Sequence, residues 1–127
     1  MSLISICKIL FRQALEKTTL SVGATKVGRI VFEKMINKCM QRSQTVNYQG
    51  LKMYFSVPNQ LNHLRVNTFA TKEPETLEWI DSLPEGCVLW DIGANVGLYT
   101  VYAALRRKCC VVAFEPSVFN LELLARN

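Results

Sequence analysis

The sequence predicts an α/β fold built on a parallel sheet, and three observations carry that expectation. Residues 87–90 and 110–114 are continuous apolar runs of strand length. Between them Leu98, Val101, Tyr102 and Leu105 recur at the three- and four-residue steps of a helix. A glycine-bearing turn over residues 93–97 leads from the first run into that helix. Apolar runs that do not alternate imply strands covered on both faces, as in parallel sheets wrapped by helices.

A chain of 127 residues has the size of one domain. With 50% hydrophobic and 20% charged residues, and only 6 Gly and 4 Pro, it is neither disordered nor a low-complexity linker. A chain of this length buries roughly two thirds of its unfolded surface, so a core without covalent staples is expected. The cysteines (Cys7, Cys39, Cys87, Cys109, Cys110) are odd in number and lack C-x-x-C spacing. They read as free thiols in a reducing compartment, with no metal site. No apolar run approaches the roughly 20 residues that span a bilayer. Lys8 and Arg12 interrupt the first segment, which makes a poor signal peptide, so the expected location is cytoplasmic.

Three regions follow in order. Residues 1–44 form an N-terminal helical extension in which Leu3, Ile6, Leu10 and Ala14 keep a helical period. A break is expected near Ser21 to Gly23. Val27, Ile30, Val31, Met35 and Cys39 then mark one side of a second helix, and the pair is read as capping a domain. Residues 1–50 hold eight Lys/Arg against two Glu, whereas the rest of the chain is near neutral. That basic balance is read as a solvated face with, at most, weak peripheral membrane contact; no nucleic-acid partner is expected. Residues 45–70 form a β-hairpin segment: Gln49-Gly50 supplies a tight turn, and Leu51, Met53, Phe55 and Val57 share one face. His63, the sole histidine, is placed in a polar loop after it.

Residues 71–127 carry the chemistry. Pro74 opens a helix with Leu77 and Ile80 on its apolar side and Trp79 beside them, and the 83–86 turn stops it. After the strand–turn–helix described above, Arg106, Arg107 and Lys108 complement the helix dipole, and Ser117 caps a last helix. Within the turn, Gly93 lets backbone approach a ligand, and Asn95 tolerates the left-handed conformation. Gly97 allows close packing. The N–H groups at the helix start favour an anionic group. Glu115 follows the second strand, 22 positions beyond Gly93. An acid about 20 residues past such glycines accepts hydrogen bonds from ribose hydroxyls at the strand ends, so loop and acid together predict an adenosine-containing cofactor. The spacing Gly93-x-Asn95-x-Gly97 is not that of the dinucleotide fingerprint. Asp91, two residues before Gly93, is unwelcome beside a pyrophosphate and useful beside a cation.

The pattern D-x-G-x-(G/N)-x-G is similar to the first motif of class I S-adenosylmethionine-dependent methyltransferases. The strings LWDIGANVGLYT, VVAFEPSVFNLELLARN and KEPETLEWI resemble the FkbM family of that class, over residues 65–127. The resemblance implies a Rossmann-like parallel sheet of which only the first β-α-β-α unit is present here. It implies a SAM-dependent O-methyltransferase acting on a hydroxyl of a sugar, glycan or small metabolite. Asp91, Gly93, Ala94, Asn95 and Gly97 are then placed around the methionine part, and Glu115 on the ribose. Asn120 matches a family position, with a helix-surface role as its alternative. In the family's order both strands lie between two neighbours, so a truncated product or incomplete gene model is expected. The catalytic base stays unassigned.

Two other classes stand beside this one: an NAD-dependent oxidoreductase, disfavoured by Asp91 and the loop spacing, and a non-catalytic interaction or membrane-peripheral protein using the basic helices. The bland reading makes Asp91 a strand-end cap, Gly97 a packing glycine and Glu115 a solvated turn acid.

Overall fold

A computed structural model describes residues 3–127 as mixed α/β, with helices and two separate two-stranded sheets, one antiparallel and one parallel. Two compact units divide the chain at Lys38 and Cys39.

In the first unit, helix α1 (Leu3–Ala24) runs through the expected break, and helix α2 (Lys26–Met40) starts after Thr25. Thr25 makes the boundary because its hydroxyl donates to the Val22 carbonyl at 2.8 Å and accepts from the Gly28 amide at 2.9 Å, capping α2. Ser21 to Gly23 therefore stay helical. Gly28 is the buried residue of α2, and a Cβ there would stand 1.8 Å from the Val22 carbonyl oxygen. Within this unit Val27, Ile30, Val31 and Met35 are exposed. Among the described residues no helix is long and apolar enough to cross a membrane.

The second unit begins with an antiparallel hairpin of β1 (Ser43–Tyr48) and β2 (Leu51–Ser56), paired from Ser43↔Ser56 to Tyr48↔Leu51. Gln49 and Gly50, at φ 48° and 77°, make the two-residue turn whose twist suits a hairpin. Alternation buries Met53 and Phe55 and exposes Lys52 and Tyr54. The extended chain ends there. Helices α3 (Gln60–Asn67) and α4 (Phe69–Lys72) replace the loop expected around His63, because the Asn59 side chain accepts from the Asn62 amide at 3.0 Å and caps α3. His63 lies exposed on α3, its Nε2 3.1 Å from Asn67 Nδ2.

Helix α5 (Pro74–Ser82) starts with Pro74 in its first turn and buries Leu77 and Ile80; Trp79 is exposed. Strands β3 (Val88–Ile92) and β4 (Cys110–Phe114) are parallel, registered from Val88↔Cys110 to Ile92↔Phe114, with α6 (Leu98–Arg107) as the crossover and α7 (Val118–Arg126) following. Both apolar runs are thus strands, but they are covered on one face only. Val88, Trp90 and Ile92 are 68%, 65% and 77% exposed, and Val112 and Phe114 lie exposed with them. α6 packs on one side of the pair, and on the exposed side the Trp90 and Phe114 rings pack against each other at 5.8 Å.

The core gathers the inner side of the hairpin, α3–α5 and α6: Met53, Phe55, Val66, Phe69, Leu77, Ile80, Tyr102 and Ala103. Tyr102 is fully buried, with Tyr48 and Phe69 edge-on to its ring at 5.5 and 5.7 Å. Its hydroxyl donates to Asp81 Oδ1 at 2.8 Å, and Arg106 Nε donates to the same oxygen at 2.9 Å. Burial alone would raise the Asp81 carboxyl, but these two donors and the positive charge of Arg106 outweigh it and hold the group below its ordinary value. Tyr102→Phe removes one donor and leaves Arg106 in place. Urea unfolding is expected to show a loss of about 1–2 kcal/mol; an unchanged midpoint would show that the hydroxyl contributes nothing.

Candidate functional site

The turn between β3 and α6 is anchored at β4's far end. The amides of Gly93 and Ala94 both donate to the Phe114 carbonyl, at 2.8 and 3.0 Å. Gly93, Asn95 and Gly97 all have positive φ, at 84°, 55° and 83°, so the chain reverses at alternate residues with Ala94 and Val96 buried between. A non-glycine residue is strained there, least so for asparagine.

Glu115 closes the turn. Its Oε2 accepts from the Asn95 amide at 2.8 Å, and its Oε1 accepts from the Ser117 amide at 2.9 Å and from Asn120 Nδ2 at 3.2 Å. Ser117 occupies the cap position of α7 but makes no side-chain cap bond; the Glu115 carboxylate satisfies its amide instead. The Ser117 amide, helped by Asn120, the Asn95 amide and the charge of Arg65, holds the Glu115 carboxyl below its usual range against a smaller opposing effect of burial. Asn127 adds a second tie, donating from Nδ2 to the Val96 carbonyl at 2.7 Å and accepting from the Ser56 amide at 2.8 Å, which binds the turn to the hairpin.

A cavity of about 290 Å³ lies against this turn. Asp91, Gly93, Ala94 and Asn95 line it; Gly97 and Glu115 do not. Gly97 instead receives α7: a Cβ there would stand 2.5 Å from Leu124 Cδ1, the packing role of a close-approach glycine. At Gly93 the space that a Cβ would fill is open. The Asp91 carboxylate accepts from the Thr100 hydroxyl, which fixes its orientation. Asn95 Oδ1 is buried with no hydrogen-bond partner, a state that costs about 1–3 kcal/mol and that an arriving donor would relieve.

The opposite part of the lining comes from residues that the sequence did not mark for the site. Arg65 and Lys72 bring positive charge, Glu73 negative charge, and Phe69, Leu98 and Tyr99 apolar surface. Tyr99 is pushed up to about 12, first by burial and then by the negative charge of Glu73. Their signal in the sequence was faint: Arg65 and Lys72 are isolated cations some 20 or more residues before the turn, and only the folding of α3 and α4 brings them to it. Among the described residues no cluster of three or more His, Cys, Asp or Glu is arranged to hold a metal ion.

No family model matches the chain, and neither a curated protein nor a solved structure matches it.

The lowered Glu115 carboxyl has a definite pH sign. Its contribution is present above the ordinary carboxylate range and is lost as pH falls through the lowered native value. The protection factors of the Asn95 and Ser117 amides are therefore expected to fall on acidification relative to those of the hairpin amides, and to be low at all pH values in Glu115→Gln. Equal protection of both amides in Glu115→Gln and the parent protein would show that the carboxylate does not hold the turn.

Proposed function

We propose that the chain binds S-adenosylmethionine and belongs to an O-methyltransferase resembling the FkbM family. On this reading the β3–α6–β4–α7 segment is the first β-α-β-α unit of a Rossmann-like sheet. The observation that carries the reading is the cavity at the C-terminal end of β3. It joins a carboxylate-led glycine turn to charges of both signs, and open α/β sheets bind their ligands at such strand ends.

The donor set suits a zwitterionic, sulfonium-bearing nucleoside. Asp91, held by Thr100, attracts an ammonium or sulfonium group. Arg65 and Lys72 complement a carboxylate. Gly93 leaves room for close approach, and the unpartnered Asn95 Oδ1 offers an acceptor. Glu115 already takes three N–H donors of the roughly four that a carboxylate can accept, so it has about one lone pair left for a ribose hydroxyl. The cavity falls near the lower end of the roughly 300–1,000 Å³ typical of ligand sites, enough for part of such a molecule.

The cofactor supplies an activated methyl group when bound. The chain's own residues bind and orient it: Asp91 meets a cationic group and Arg65 the carboxylate, and Phe69 and Leu98 give the lining its apolar surface. Tyr99 stays protonated near neutral pH, so it acts there as a hydrogen-bond donor and not as a base. The acceptor class proposed is a hydroxyl on a small metabolite, sugar or glycan, in the cytoplasm.

Calorimetric titration with S-adenosylmethionine tests this directly. Asp91→Ala is expected to weaken binding at least tenfold, about 1.4 kcal/mol, and Glu115→Ala to weaken it comparably. Circular dichroism melts would identify any variant that has lost its fold. Unchanged affinity in both folded variants, or no binding by the parent protein, would overturn the assignment.

A further inference from the structure

At the end of the β3–β4 pair opposite the turn, two thiols meet. Cys87 Sγ and Cys109 Sγ are 2.9 Å apart, each immediately before its strand. Because Val88 pairs with Cys110, Cys87 and Cys109 stand opposite one another in the parallel register. Two backbone hydrogen bonds clamp this place. The Gly86 amide donates to the Arg107 carbonyl at 2.8 Å, and the Cys110 amide donates to the Cys87 carbonyl at 2.8 Å. Neighbouring strands run about 4.7–4.9 Å apart, inside the roughly 4.4–6.8 Å Cα separation that a disulfide tolerates. The sulfurs need to approach by only about 1 Å to bond.

We propose that Cys87 and Cys109 form a redox-active dithiol that closes to an intrachain disulfide under disulfide oxidants of the glutathione class. Cys87 is half-buried and Cys109 buried, while Cys110, next in sequence, is exposed outside the pair. That difference sets the order of events. Burial, followed by the neighbouring Cys87, keeps the Cys109 thiol protonated, so Cys87 is the attacking group. The Cys87 thiolate attacks one sulfur of oxidised glutathione, and the other glutathione leaves as thiolate. Cys109 then loses its proton to solvent and attacks Cys87 Sγ, releasing the second glutathione. The protein loses two electrons and two protons, and one oxidised glutathione becomes two reduced molecules.

The cross-link ties the base of the β3–α6–β4 unit across a separation of 22 residues, while its other end carries the glycine turn. It requires no ligand in the cavity and is independent of the methyltransferase reading. Most of its geometry is already in place in the reduced protein, so the disulfide is expected to form without rearrangement of the strands.

The test uses the full chain. Reduced protein is incubated with oxidised glutathione, remaining thiols are blocked with N-ethylmaleimide, and the product is mapped by mass spectrometry without reduction. The expected result is a linked Cys87–Cys109 peptide, an intact mass about 2 Da lower before blocking, and an unfolding midpoint raised by about 4 °C or more. Cys110→Ser retains the link, whereas Cys109→Ser leaves a glutathione adduct on Cys87. Recovery of Cys87 and Cys109 as separately blocked thiols, or a link that includes Cys110, would overturn the proposal. Both outcomes are read on the parent protein, so a variant that fails to fold leaves the test intact.

Discussion

The Glu115 carboxylate is the constraint on which the candidate site depends. One side chain receives the Asn95 amide of the glycine turn, the amide of Ser117 at the cap position of α7 and the side chain of Asn120. A turn with positive φ at alternate residues lacks regular backbone pairing of its own. Its shape is fixed by what it is tied to: the Phe114 carbonyl at one side, Glu115 in the middle and Asn127 at the exit. On the proposed reading the same carboxylate would also meet a ribose, and ligand binding would then be coupled to loop order through one residue.

Behind that turn lies an asymmetric unit. The inner side of β3 and β4 rests on α6, whose Tyr102 sits among Tyr48, Phe69 and Asp81 and joins the hairpin, α4 and α5 in one core. The outer side carries Trp90, Ile92, Val112 and Phe114 in the open. The polar partners of the core are charged groups at its margin: Arg106 on Asp81, and Arg107 donating to the Leu83 carbonyl at 2.6 Å. The positive end of α6 therefore does two jobs. It complements the helix dipole, and it pins α5 and the turn that follows it.

Much of this was legible from residue order. The β3–α6–β4–α7 succession follows from two apolar runs flanking a helical period, and the hairpin follows from Gln49-Gly50 between alternating segments. Helix α3 was not legible, since Asn62 and Val66 are its only buried residues and leave almost no apolar period to read. Its start is set by one asparagine cap, and it is held by contacts with distant chain. The helix break at Thr25 was hidden because Ser21 to Gly23 offered the stronger turn composition, whereas a single threonine hydroxyl decides it. Coverage of the sheet was misjudged for a different reason: apolar sequence reports what a face is suited to touch, and among the described residues Trp90, Ile92, Val112 and Phe114 stay exposed. In the site, Asp91, Gly93, Ala94 and Asn95 meet at one cavity, while Gly97 faces α7. Arg65 and Lys72 joined them through tertiary folding alone.

Amide chemical-shift mapping by NMR during titration with S-adenosylmethionine addresses the central claim most directly. Saturable shifts confined to residues 91–95 and 115–117, with the Gln49 and Gly50 amides unmoved, are the result this account requires. Shifts absent from those residues at saturating concentrations, or located only on the hairpin and the N-terminal helices, would contradict it.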